Sequence, residues 1–149
     1  MVVTPKQLAS ELGELWGSLM RARGESNVIA LFEELDLSLT HVKTLSALSN
    51  CAEDASVKGL ADLLGLSLPA TSRTVDVLLR RGWLARREDE QDRRIKRVRL
   101  TDEGRDVIER IHTARMEGIE AWTAELSDGQ RKRLSAALRP ILDSLETPR

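Results

Sequence analysis

Apolar positions recur at helical spacing along most of the chain. Leu8, Leu12, Leu15, Trp16, Leu19 and Met20 form one stripe. Thr4-Pro5-x-Gln7 before it reads as a helix start, with a capping threonine, a proline in the first turn and a glutamine at the capping-box position. Gly24 is expected to end this helix. Val28, Ile29, Leu31, Phe32 and Leu35 predict a second helix, and Ser38 caps a third that carries Val42, Leu45 and Leu48. Residues 49–55 read as a loop. Ser56 opens a short helix with Leu60, Leu63 and Leu64 facing inward, and Gly65 suits the left-handed residue that stops a helix. Ser67 caps the next helix, which tolerates Pro69 in its first turn, buries Val75, Leu78 and Leu79, and ends at Gly82.

The period then changes. Trp83–Arg87 and Ile95–Leu100 read as strands, the second with Ile95, Arg97 and Arg99 on one face and Lys96, Val98 and Leu100 on the other. Thr101 caps a long helix through Val107, Ile108, Ile111, Ile119, Trp122 and Leu126. Ser127-x-x-Gln130 is a second capping box, opening a last helix with Leu134, Leu138, Ile141, Leu142 and Leu145, which Pro140 should kink or divide. Two short helices about a glycine turn, then a hairpin, make a helix–turn–helix with a wing. The expected fold is mainly α with a small β-hairpin wing. The winged helix–turn–helix would span 37–102, and residues 1–36 and 103–149 would supply a helical dimerisation region. The terminal stripes are more apolar than a small winged core requires, which favours packing against a second copy.

Composition narrows the function class. The chain has 149 residues, 41% hydrophobic and 32% charged, enough for one domain with a core, or for a small domain plus dimerisation arms. No apolar run approaches the ~18–20 residues of a membrane span. The N-terminal stretch lacks the pattern of a signal peptide, so a cytoplasmic protein without a membrane partner is expected. Cys51 is the single cysteine, and with only His41 and His112 beside it neither a disulfide nor a metal site is expected. There is no phosphate-binding glycine loop, nucleophile elbow or histidine cluster, so no catalytic residues are assigned and no cofactor is required.

Charge points elsewhere. From Leu79 to Arg99 nine basic side chains face four acidic ones, a net +5 in a chain of net −1. A cationic hairpin after a helix–turn–helix suits a DNA backbone. The first turn of the second helix then supplies the candidate base readers Pro69, Ala70, Thr71, Ser72 and Arg73, with Ser67 at its cap. Small residues permit close approach, the Thr71 and Ser72 hydroxyls can bond bases or phosphates, and the Thr71 methyl can meet a thymine methyl. Arg73 can reach a guanine, or instead pair with Asp76. At the hairpin, Arg93, Arg94 and Lys96 are candidate DNA contacts. Asp92 is expected to aim an arginine side chain by a charge-assisted hydrogen bond, so that Arg94 enters a narrow minor groove.

These segments resemble the MarR (multiple antibiotic resistance regulator) family. The resemblance is carried by Leu37-Ser38-Leu39-Thr40-His41-Val42, Leu60-Ala61-Asp62-Leu63-Leu64-Gly65-Leu66, Thr71-Ser72-Arg73-Thr74-Val75-Asp76 and Arg81-Gly82-Trp83-Leu84. It is also carried by Asp92-Arg93-Arg94 leading to Val98-Arg99-Leu100-Thr101-Asp102-Glu103-Gly104, the more specific part. It spans nearly the whole chain. It implies a homodimer with interlaced terminal helices that binds a pseudo-palindromic double-stranded operator. The dimer would usually repress its own or a neighbouring gene, with release by a small, often aromatic effector. Trp16, Met20 and His41 are the candidate effector-pocket residues, although His41 stands where the family often has glutamine. Some members sense oxidants through a cysteine in the first helix. Cys51 lies instead after the third helix, where a buried, inert thiol is expected. Trp16, Trp83 and Trp122 read as core or interface anchors. Two competing readings are an oxidant sensor acting through Cys51 and a winged-helix protein-interaction module with no operator.

Overall fold

The computed structural model describes residues 2–21 and 24–146. In chain order the elements are α1 (Pro5–Arg21), α2 (Gly24–Glu34), α3 (Leu39–Ser49), β1 (Ala55–Ser56), α4 (Val57–Leu64), α5 (Leu68–Arg80), β2 (Leu84–Glu88), β3 (Lys96–Leu100), α6 (Asp102–Ala124) and α7 (Asp128–Glu146). They form two compact units, Ile29–Thr113 and Met1–Val28 with Ala114–Arg149. Among the described residues no helix is long and apolar enough to cross a membrane.

In the Ile29–Thr113 unit local chemistry sets most boundaries. Ser38, Ser56 and Ser67 each sit in extended backbone and accept a hydrogen bond from the N–H three residues on. Gly65 closes α4 at φ 65°, a left-handed conformation that glycine adopts without steric cost. The sheet order is β1-β3-β2, all antiparallel, with Leu84 opposite Leu100, Arg87 opposite Arg97 and Ala55 opposite Val98. β1 falls in what the sequence presents as a loop. Its two residues become a strand by pairing with Val98 and Arg97. The core gathers Leu45, Leu60, Val75, Leu78 and Val98, each almost wholly inaccessible. Leu63 departs from its expected inward place, being 64% exposed, while Leu60 and Ala61 face the core instead.

The start of α6 is fastened to the sheet. The Thr101 hydroxyl donates to the Gly82 carbonyl at 2.7 Å and accepts from the Gly104 N–H at 3.1 Å. The Thr101 N–H donates to the Trp83 carbonyl at 3.1 Å. That same carbonyl oxygen lies 2.1 Å from where a Cβ on buried Gly104 would stand, so only glycine fits there.

In the other unit both expected capping boxes are formed, Thr4 with Gln7 and Ser127 with Gln130. Gly24 does not close α1; α1 runs to Arg21 and Gly24 is the first residue of α2. Pro140 does not divide α7, which continues through it to Glu146. Trp122 donates its ring N–H to the Ser18 hydroxyl at 3.4 Å. α1 has no buried residue. Trp16 is 61% and Leu145 75% exposed, and Leu8, Leu12, Leu138, Ile141 and Leu142 are exposed as well.

Candidate nucleic-acid interface

α5 is the second helix of the helix–turn–helix. Thr71, Val75 and Leu78 share its core face at the i, i+4, i+7 spacing, and all three are inaccessible. Thr71 is therefore not a base reader. At 0% exposure its hydroxyl donates to the Ser67 carbonyl at 3.1 Å, and its methyl belongs to the core. Pro69, Arg73 and Arg80 lie on the opposite face and are exposed, with Ala70 and Ser72 half-buried at the flanks. Ser67 spends its hydroxyl on the Ala70 N–H as the cap. Among the described residues Arg73 meets no carboxylate, because Asp76 is held by Arg86 of β2 at 2.9 Å.

The wing tip is built by two aspartates. Asp89 Oδ1 accepts the backbone N–H groups of Gln91 at 2.9 Å and Asp92 at 3.1 Å, while Oδ2 takes the Arg97 Nε–H. Asp92 Oδ1 accepts the Arg94 backbone N–H at 3.0 Å. Among the described residues Asp92 thus bonds the Arg94 main chain and does not, as expected, grip an arginine side chain. Arg93 and Arg94 are exposed, and neither pairs with a carboxylate among the described residues. Lys96 is bound across the ladder to Glu88 at 2.7 Å, so its charge is already met.

The base of the wing is tied to the loop before β1. Arg97 Nη1 donates to the Asp54 carbonyl at 2.9 Å, and Arg87 Nε donates to the Asp54 carboxylate. The Asp89 carboxyl is held down to about 2, first by Arg97 and then by the two backbone N–H donors. The hydrogen bond to Asp54 raises Arg87 above the ordinary arginine value. Of the nine cations between Leu79 and Arg99, Arg81, Arg86, Arg87, Lys96 and Arg97 are paired with carboxylates. Arg80, Arg93, Arg94 and Arg99 are not, among the described residues. Asp36, Asp54 and Asp89 were not singled out as site residues from sequence. The Asp89–Gln91–Asp92 spacing, which suits a side chain bonding the backbone two and three residues on, is the one local signal for them.

The candidate effector residues have other settings. His41 completes the capping box of α3: its Nδ1 accepts the Ser38 N–H at 3.1 Å, and its own N–H donates to the Ser38 hydroxyl at 3.1 Å. Burial, with the nearby Arg81 charge, lowers its pKa. Trp16 and Met20 belong to α1 in the other unit. Arg81 anchors the α2–α3 corner, donating to the Leu35 and Asp36 carbonyls at 2.8 and 3.0 Å and lying 5.1 Å from the centre of the Trp83 ring. Cys51 is exposed, not buried as expected; it follows the end of α3, and its thiol donates to the Ala47 carbonyl at 3.2 Å.

Residues 35–95 match the model of the MarR family. Three solved structures share the fold over nearly the whole chain. A point mutant of S. aureus MepR bound to an oligodeoxyribonucleotide is 22% identical, with 97% of this chain and 100% of that one covered and a TM-score of 0.69. The transcriptional regulator Tm0710 from Thermotoga maritima is 20% identical, with 95% of each chain covered and a TM-score of 0.79. YusO from Bacillus subtilis is 19% identical, with 97% and 100% covered and a TM-score of 0.72.

Proposed function

We propose that the chain, whose residues 35–95 match the MarR family of transcriptional regulators, acts as a homodimeric, sequence-specific DNA-binding regulator. The observation that carries this reading is the selective freedom of its cations. Arg73 on the outer face of α5 and Arg93 and Arg94 at the wing tip are exposed and meet no carboxylate among the described residues, while five cations around them are held by carboxylates. A helix arginine aimed outward reads a major groove, and a wing-tip arginine suits the focused negative potential of a narrow minor groove. The MepR structure of the same fold carries an oligonucleotide, which supports DNA as the partner.

In this reading two copies present their α5 helices about 34 Å apart, to successive major grooves of a pseudo-palindromic operator. The protein works in the cytoplasm as a repressor of its own or a neighbouring operon. A small aromatic effector releases it by favouring a dimer state with the wrong helix spacing. The test is a salt series of duplex binding. Arg94→Ala is expected to weaken binding about tenfold and to lower the salt slope by about one, without loss of the folded state. Unchanged affinity and slope would remove the wing from the interface.

The exposure of Cys51 favours a second reading, oxidant control. Peroxide would convert its thiol to sulfenic acid with release of water. Peroxide should then weaken duplex binding by the wild type and leave Cys51→Ser unaffected; equal behaviour of the two rejects it.

A further inference from the structure

The wing tip reads EDEQDRR, with as many acids as a DNA-facing loop can ill afford near phosphates. Glu90 is exposed, but Asp89 is not: only 12% of its side chain is accessible, the least of the ion-paired carboxylates among the described residues. Its two oxygens make three bonds, to the backbone N–H groups of Gln91 and Asp92 and to Arg97 Nε. Its own N–H closes the loop by donating to the Ile95 carbonyl at 3.0 Å. On one side, Arg97 continues to the Asp54 carbonyl, and Asp54 holds Arg87 of the neighbouring strand. On the other side, Asp92, fixed by Asp89, accepts the Arg94 N–H at 3.0 Å. A continuous run of polar bonds therefore leads from the loop before β1, through Arg97 and Asp89, to the backbone of Arg94. Nothing else among the described residues fixes the main chain between Asp89 and Asp92 from a side chain.

We propose that Asp89 is the positioning residue of the wing: it sets the backbone that aims Arg94 at DNA, by joining the Asp54–Arg97 brace to the tip. The inference rests on the DNA-binding reading above. Asp89 touches no DNA itself. Its action is to hold Arg94 in one direction before binding, so that less order has to be gained at the interface.

Charge alone predicts the opposite effect, which makes the proposal testable. Removing a carboxylate from a DNA-facing loop should strengthen binding by lowering repulsion. Removing a positioning residue should weaken it. The probe is a labelled duplex selected by the wild-type protein from a randomised pool, with affinity read by fluorescence anisotropy. Glu90→Gln is the charge control, since its side chain is 90% exposed and lies outside this run of bonds; its affinity should equal or exceed the wild type. Asp89→Ala should weaken binding about tenfold despite the lost negative charge, a change of ~1.4 kcal/mol. Asp89→Asn, which keeps an acceptor for the two N–H groups but loses the charged Arg97 bond, should fall between, and it carries the test where the alanine variant does not fold. Combined with Arg94→Ala, which removes the group being aimed, Asp89→Asn should cost almost nothing further. Binding by Asp89→Asn and Asp89→Ala as tight as wild type, or losses that multiply in the double variant, would overturn the proposal. Failure of the wild type to select any duplex would instead overturn the DNA-binding reading on which it stands.

Discussion

Two side chains show how far the chemistry of a residue depends on where it points. Thr71 has the hydroxyl and methyl of a base reader, yet it shares its helix face with Val75 and Leu78 and is wholly enclosed. His41 has the makings of a pocket residue, yet its ring is a helix cap. Because its Nδ1 accepts the Ser38 N–H, the neutral ring carries its proton on Nε2, and a second proton would break that bond. Its folded-state pKa lies below 6.5, so the unfolded chain takes up the proton first. The stabilisation is complete above pH ~6.5 and declines as pH falls from there toward the folded pKa. His41→Gln, with glutamine at its customary capping-box position, should retain the cap and flatten the pH dependence of the urea midpoint between about pH 7 and 5; an unchanged slope would contradict this. Asp89 has the same sign, displaced to lower pH. Its contribution to the wing is complete above the ordinary value of 3.8 and is lost as pH falls through about 2. A carboxyl NMR titration should give a midpoint near 2, and one near 3.8 would break the link to Arg97. Arg73 and Arg94 were legible as candidate contacts because motif position marks them. The partners of Arg87 and Arg97 were not, because Asp54 lies 33 residues from one and 43 from the other.

At the level of elements, a single missing Cβ joins helix to sheet. The Trp83 carbonyl occupies the space that a side chain at Gly104 would need, and the oxygen is backbone, so it has no rotamer to yield. Gly104→Ala should destabilise the fold by about 1–3 kcal/mol or more, as overpacking does, and denaturant unfolding will read it. A loss below a few tenths would mean that the strand moves aside easily. The V-x-L-T-x-x-G run thus has a physical content: Val98 and Leu100 face the core, Thr101 caps α6 while bonding Gly82, and Gly104 lets α6 approach. Most elements were legible because their signals are local, as the serine caps and Gly65 show. β1 was not, since Ala55 and Ser56 become a strand only by meeting Val98 and Arg97. Leu63 misled because an eight-residue helix has too few turns for its apolar pattern to choose between neighbouring faces.

For the molecule as a whole, the exposed stripe of Leu8, Leu12 and Trp16 and that of Leu138, Ile141, Leu142 and Leu145 are where the dimer reading is most directly at risk. The protein should sediment at twice its 16.7 kDa chain mass, and Leu12→Glu with Leu142→Glu should return it to one chain mass and abolish tight duplex binding. A wild-type monomer, or an undisturbed dimer in the double variant, would move the contact elsewhere. The internal pairing of cations also bears on how such a regulator is shared out within a cell. Affinity for random-sequence DNA grows with the number of phosphates neutralised, and five of the nine cations in the basic window already have carboxylates. On the proposed DNA-binding reading, each copy would therefore bring a short allotment of free charge to the bulk chromosome. On that same reading, the great excess of irrelevant sites would hold back fewer molecules, and a modest number of copies would keep one operator occupied.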